Sequence, residues 1–318
     1  MPLLSRSPGW LRSLARGQAY DPALAGGRAA DAASLRAPFP GSARPGLFET
    51  CANPRCDSGW LKLWRSRRTP VFEGGWCCSP VCTRAQLEAA LGREMDARGG
   101  APDGRRHRIP LGLAMLEQGW ITIGQLREAL EAQKAAGAGK LGQWLVRRQA
   151  ASEEQVMRAL GLQWGCPVLG AEYHDAEAMT VWLPRLFVDA FGALPLRVAA
   201  GKILYLGFED RPDPVLALAV ARMTGLRVES GLVPGPVFRP AHRRMLAARY
   251  PRAGLLDAAT EISLANALMK AIERFHPADA RLVRVHDCLW LRMWQRPQIE
   301  PSPDPASVED LICSTAGG

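Results

Sequence analysis

Part of this chain is written twice, and that repeat limits the possible folds more than any other feature. Residues 110–133 read Pro-Leu-Gly-x-x-Met-x-x-x-Gly, followed by Leu126, Leu130 and Gln133. Residues 140–163 read Lys-Leu-Gly-x-x-Leu-x-x-x-Gln, followed by Val156, Leu160 and Gln163. The offset is 30 residues at both ends, from Pro110 to Lys140 and from Gln133 to Gln163. The capping chemistry repeats too. Thr122-Ile-Gly-Gln125 and Ser152-Glu-Glu-Gln155 are capping boxes, in which two side chains satisfy N–H groups that a helix start leaves without partners. Ile121 and Leu126 add a hydrophobic staple to the first copy. Each copy therefore reads as a short helix, a turn and a capped second helix. Leu126, Leu130 and Gln133 share one helical face, as do Val156, Leu160 and Gln163. A helix pair this short cannot bury its apolar side alone, so the two copies must pack on each other.

The cysteines are the second constraint. Of eight, five fall between Cys51 and Cys82. Such clustering, with no export signal in Met1–Tyr20, points to metal rather than to disulfides. Cys51 and Cys56 form the first pair, and Trp76-Cys77-Cys78-Ser79-Pro80-Val81-Cys82 supplies the second. Ser79 suits a helix N-cap and Pro80 the first helical position. Cys78 and Cys82 are then four apart on one helix face, where the helix dipole favours thiolate charge. Four thiolates suit one tetrahedral Zn2+ ion. The expected ligands are Cys51, Cys56, Cys78 and Cys82, with Cys77 the competitor for the third place. The arrangement resembles a treble-clef finger, although four residues separate the first pair where a knuckle usually has two. A site closed by four protein ligands serves folding and recognition rather than catalysis.

Punctuation by Gly, Pro and charge runs divides the remainder. The expected organisation is a disordered tail over 1–46, the cysteine-rich zinc module over 47–97 and a basic linker over 98–108. The helical repeat subdomain follows over 109–170, then a small α/β subdomain over 171–254. A C-terminal helix plus β-hairpin occupies 255–296, and a second disordered tail 297–318. The fold class is α+β multidomain. In the α/β part, Ala200-Gly201 reads as a hairpin turn between Ala193–Leu196 and Ile203–Gly207. Asp213-Pro214 opens a helix that stops at Gly225, Leu226–Glu229 is the next strand, and a helix over 241–250 closes the unit.

The repeated segment resembles a 24-residue motif, Arg-Leu-Gly-x-x-Leu-x-x-x-Gly followed by Leu-x-x-x-Leu-x-x-Gln. That motif occurs twice in the N-terminal domain of type II secretion and type IV pilus assembly ATPases. The likeness extends through the strand pair and helix just described, over about 109–251. In one branch of the family the paired motifs bind cyclic di-GMP. Carried over position by position, the resemblance implies a ligand site of Arg108, Leu111, Gly112, Met115, Gly119, Leu126, Leu130 and Gln133 from the first copy. The second copy contributes Lys140, Leu141, Gly142, Leu145, Leu160 and Gln163. In that reading Gly112 and Gly142 admit the ligand close to the backbone, the leucines cover guanine faces, Lys140 meets a phosphate, and Gln133 and Gln163 bond a base edge. This sequence departs from the motif at Pro110, where the family has a basic residue, at Gln149, where it has Gly, and at Val156. The resemblance implies a secretion or pilus machine component as partner.

Catalytic signals are missing. No Gly-x-x-x-x-Gly-Lys-Ser/Thr occurs, and none of the five histidines falls in a metal or nucleophile motif. No apolar run reaches the roughly 20 residues that a transmembrane helix needs. The expectation is a cytoplasmic, non-enzymatic adaptor or regulatory protein. The net charge of +9 keeps a second reading open, a zinc-containing nucleic-acid-binding protein. It would use the basic and aromatic residues 55–68 and the run Arg105-Arg106-His107-Arg108.

Overall fold

The computed structural model describes residues 51–56, 71–96, 108–172, 174–258, 260–296 and 304–314. The tail 1–46, all of the linker except Arg108, and most of the proposed nucleic-acid segment lie outside the described residues.

A short hairpin, β1 (Val71–Phe72) and β2 (Gly75–Trp76), leads into helix α1 (Pro80–Asp96). The repeat follows as α2 (Leu111–Glu117), α3 (Ile123–Ala136), α4 (Leu141–Arg147) and α5 (Glu153–Trp164). Both expected capping boxes form, Thr122 with Gln125 and Ser152 with Gln155. Two short helices, α6 (Ala176–Met179) and α7 (Arg185–Phe191), precede strands β3 (Ala193–Ala199) and β4 (Ile203–Phe208). Then come α8 (Pro214–Thr224), β5 (Arg227–Leu232) and α9 (Gly235–Ala247). The last section holds β6 (Arg252–Leu256), α10 (Glu261–Phe275), β7 (Asp279–Val285), β8 (Cys288–Trp294) and β9 (Val308–Ser314).

The α/β unit is a three-stranded sheet in the order β3-β4-β5. The β3–β4 hairpin is antiparallel, and α8 carries the chain across to β5, parallel to β4. Ala200 and Gly201 both take positive φ in the hairpin turn, at 49° and 63°. Asp213 caps α8 by accepting from the N–H groups of Val215 and Leu216, with Pro214 at the first position. The closing helix begins earlier than its charge pattern suggests, at Gly235 rather than 241. Phe238 and Ala241 fill its core-facing side, and Pro236 sits in its first turn, where a missing N–H is harmless.

The main correction concerns the ends. A six-stranded sheet runs in the order β2-β1-β7-β8-β9-β6. The expected C-terminal helix and hairpin are present as α10 and β7–β8, but they are the middle of something larger. Strand β9, in the segment read as a disordered tail, lies between β8 and β6. Strand β6, which straddles the boundary expected between 254 and 255, is an edge of this sheet. The cysteine module is not separate either, because β1 pairs in parallel with β7.

Strands β7, β8 and β9 carry apolar residues on both faces, as a buried layer requires. One face gives Val283, Val285, Trp290, Trp294, Val308 and Ile312 to the core shared with the α/β unit. The other gives Leu282, Leu289, Leu291, Met293 and Leu311 to the core shared with α1 and α10. Trp290 packs edge-on against Phe187 of α7 at 5.4 Å. A buried ion pair pins β9 in place. Arg292 Nε and a terminal nitrogen donate to the two Asp310 oxygens at 2.7 and 2.8 Å, and Trp290 Nε1 donates to the same carboxylate at 2.7 Å. The other terminal nitrogen of Arg292 donates to the Val181 carbonyl at 2.6 Å.

Candidate functional site

The first candidate centre is the cysteine cluster. Residues 51–56 turn tightly, with Cys56 N–H donating to the Asn53 carbonyl at 3.0 Å. This turn is held to the hairpin by Ala52 N–H to the Trp76 carbonyl at 2.8 Å, and to α1 by Gln86 Nε2 to the Ala52 carbonyl at 2.9 Å. Ser79 caps α1 as expected, its hydroxyl accepting from Cys82 N–H at 3.3 Å. That cap sets Cys78 just before the helix and Cys82 on its first turn. The Sγ atoms of Cys51, Cys56, Cys78 and Cys82 all lie within 4.8 Å of one another. Cys56 and Cys78 are 3.5 Å apart, and Cys78 and Cys82 3.6 Å, far beyond a sulfur–sulfur bond and suited to thiolates around one ion. The order of turn, hairpin and helix is that of a treble-clef-like module.

Cys77 stands outside this group. Its Sγ is directed at the Gly75 carbonyl, 3.9 Å away, and burial pushes its thiol up to about 11. Burial also pushes Cys51 up to about 12, so a cation is needed to hold its thiolate. One contact was not foreseen from sequence: Asn53 Nδ2 donates to Cys82 Sγ at 3.4 Å. Amide-to-sulfur bonds of this kind orient metal-binding thiolates. An Asn inside a Cys-x4-Cys turn was the available signal.

The second candidate centre is the repeat. Its copies pack reciprocally: α2 of the first lies on α5 of the second, and α3 lies on α4. A Cβ placed on Gly112 would stand 2.7 Å from Leu126 and 3.4 Å from Leu141. A Cβ on Gly142 would stand 2.6 Å from Val156 and 3.5 Å from Leu111. Each glycine thus touches its own copy's second helix and the other copy's first leucine. The closing glutamines are equally reciprocal. Gln133 Nε2 donates to the Gly139 carbonyl at 2.8 Å, just before Lys140, and Gln163 Nε2 donates to the Ile109 carbonyl at 3.0 Å, just before Pro110.

Several residues implied as ligand contacts are therefore engaged within the protein. The space above Gly112 and Gly142 holds branched side chains, because those helices need a residue without Cβ to approach. Met115 and Leu145 are fully buried core. Both glutamines bond backbone carbonyls. Leu111, Leu126, Leu141 and Leu160 are half-buried, Leu130 is exposed, and Gly119 lies at an exposed turn. Lys140 forms an ion pair with Asp210, in the loop after β4. Arg108 stacks on Trp164 at 3.6 Å, and Arg211 lies 5.4 Å from the same ring. Sequence reasoning missed Asp210, Arg211 and Trp164, because nothing local links them to the repeat.

Asp175 caps α6 by accepting from the N–H groups of Glu177 and Ala178. Burial lowers the His174 pKa, which favours a neutral ring.

Taken together, the chain is an α+β protein with a four-cysteine, metal-type centre and a tandem helical repeat. No family model matches it, and no curated protein does. Solved structures do. A chain described as MshE with cdg is 26% identical over 43% of this chain and 99% of its own length, with a TM-score of 0.36. The N-terminal domain of XpsE, in two crystal forms, is 21% and 22% identical. Those matches span 43% and 41% of this chain and 91% and 90% of theirs, with TM-scores of 0.29 and 0.24. These likenesses cover about two fifths of this chain. Among the described residues no helix is long and apolar enough to cross a membrane.

Proposed function

We propose that this chain is a non-enzymatic adaptor or regulatory protein of a type II secretion or type IV pilus system, and that its repeat binds cyclic di-GMP. The observation that carries this reading is the repeated motif together with its reciprocal packing. Two copies of one helix pair meet through Gly112 and Gly142, and each closing glutamine fastens the segment that leads into the other copy. Such a unit presents two similar half-sites, which suits a ligand made of two identical halves. The half-buried Leu111, Leu126, Leu141 and Leu160 offer apolar surface for bases, and Arg108 and Lys140 offer cations for phosphates. Zn2+ in the four-cysteine centre completes the proposal, as a structural ion with no coordination place for substrate.

Calorimetric titration of the zinc-loaded chain with cyclic di-GMP, with GTP as control, tests it. Saturable binding at micromolar concentrations or below is expected, specific to the cyclic dinucleotide. Lys140→Ala should weaken it about tenfold, the effect of losing one charge-assisted contact. Gln133→Ala should weaken it as well, by releasing the backbone at Gly139. Heat without saturation, or equal affinity in wild type and both variants, would remove the site assignment.

A further inference from the structure

The cysteine centre is joined to distant parts of the chain by an unusual number of ties. Strand β1 lies five residues before Cys77 and pairs with β7, Val71 opposite Asp279 and Phe72 opposite Ala280. Val71 N–H donates to the Ala278 carbonyl at 3.2 Å and Glu73 N–H to the Ala280 carbonyl at 2.7 Å. Cys78 and Cys82 are buried in the same core as Leu87 and Leu91 of α1, Leu264 and Leu268 of α10, and Leu282 of β7. Arg84 of α1 bonds Asn266 of α10.

At the far end of α1 stands Glu94, 1% exposed. Its carboxylate accepts from both terminal nitrogens of Arg222 on α8, one of them at 2.9 Å, and from the Arg284 N–H of β7 at 3.0 Å. Arg284 also donates to the Glu94 carbonyl at 3.4 Å. A buried carboxylate is tolerated only with such partners. Helix α1 thus begins at two cysteines of the cluster and ends on a charge that binds the sheet and the α/β unit together.

We infer that a Zn2+ ion at Cys51, Cys56, Cys78 and Cys82 is a clamp for the six-stranded sheet and its helices α1 and α10, not for a detachable finger. This rests on the proposal that the centre binds zinc. Segment 51–56 meets the hairpin and α1 through the Ala52 N–H on the Trp76 carbonyl, the Gln86 side chain on the Ala52 carbonyl and the Asn53 amide on Cys82 Sγ, and an ion shared by its two thiols with Cys78 and Cys82 would lock it there. Releasing the ion frees α1 at its anchored end, and with it the cover over α10 and β7.

The experiment uses the full purified chain. Zinc content is measured for wild type, Cys77→Ser and Cys78→Ser, and hydrogen exchange is followed by mass spectrometry before and after chelation under reducing conditions. One zinc per chain is expected in wild type and Cys77→Ser, with a marked loss in Cys78→Ser. Chelation should speed exchange at least about tenfold in residues 71–96 and also in 261–275 and 279–285, while 111–164 keeps its protection. Faster exchange confined to 51–96 overturns the clamp and leaves the zinc site standing. Absence of stoichiometric zinc in wild type, or equal zinc in Cys78→Ser, overturns the site and the clamp together.

Discussion

At the residue scale, one position departs from its repeat partner in a way the backbone makes costly. Gly119 ends the first helix of copy one with φ of 68°, and Gln149 occupies the equivalent place with φ of 56°. The left-handed region disfavours a side chain by about 1 kcal/mol, and only Gly visits it freely. Gln149 is exposed, and among the described residues its side chain makes no hydrogen bond or ion pair. Gln149→Gly should therefore stabilise the chain by about 0.5–1 kcal/mol, less the extra entropy of an unfolded glycine, read as a higher melting temperature. A lower melting temperature would show that the Gln side chain matters more than its backbone. This departure was legible in the sequence because the repeat supplies its own reference. The choice between Cys77 and Cys78 was not, since adjacent residues differ in direction and only the hairpin before α1 sets which one faces Cys51 and Cys56.

At the element scale, helices were readable and the largest sheet was not. The repeat's helices carry local instructions: capping boxes at Thr122 and Ser152, and left-handed glycines at Gly137 and Gly165 closing α3 and α5. Strand β9 carries no such local signal. It follows a Pro-rich stretch and places Glu309 and Asp310 in adjacent positions, which reads as a polar tail. Their partners are remote. Asp310 meets Arg292 inside the core, and Glu309 pairs with Arg274 of α10. The pairing explains why a charge tolerates the middle of a sheet, but only after the fold is known. Asp310→Ala should cost about 3–5 kcal/mol, because Arg292 would stay buried without its anion. Loss of soluble protein, or a melting temperature lowered by many degrees, is the expected reading. A change under about 1 kcal/mol would mean that Arg292 reaches water once the pair is broken.

At the scale of the whole molecule, the sheet is a shared wall. Its two apolar faces serve different neighbours, the α/β unit on one side and α1 with α10 on the other. The division expected from sequence, with the cysteine module, the C-terminal helix and hairpin, and the last segment as separate parts, gives way to one sheet in which β1 pairs with β7 and β9 inserts between β8 and β6. Cutting the wall from one side should be felt on both. Leu87→Ala, at a fully buried position of α1, should cost about 2–5 kcal/mol and should also lower zinc retention during dialysis against a chelator. Unchanged retention would separate the helix core from the metal centre.

The repeat has its own small core, centred on Met115, Ala129, Leu145 and Ala159, while Met157, Leu160 and Trp164 join the core that the sheet shares with the α/β unit. Its reciprocity is the basis of the functional reading, and methyl-resolved NMR of the zinc-loaded chain, titrated with cyclic di-GMP, probes it directly. The account predicts that the methyl resonances of Leu111 and Leu126 in one copy and of Leu141 and Leu160 in the other shift together and saturate at one ligand per chain, while those of Leu282 and Leu291 in the sheet stay still. Resonances that do not move, or that move only outside 109–164, would contradict it.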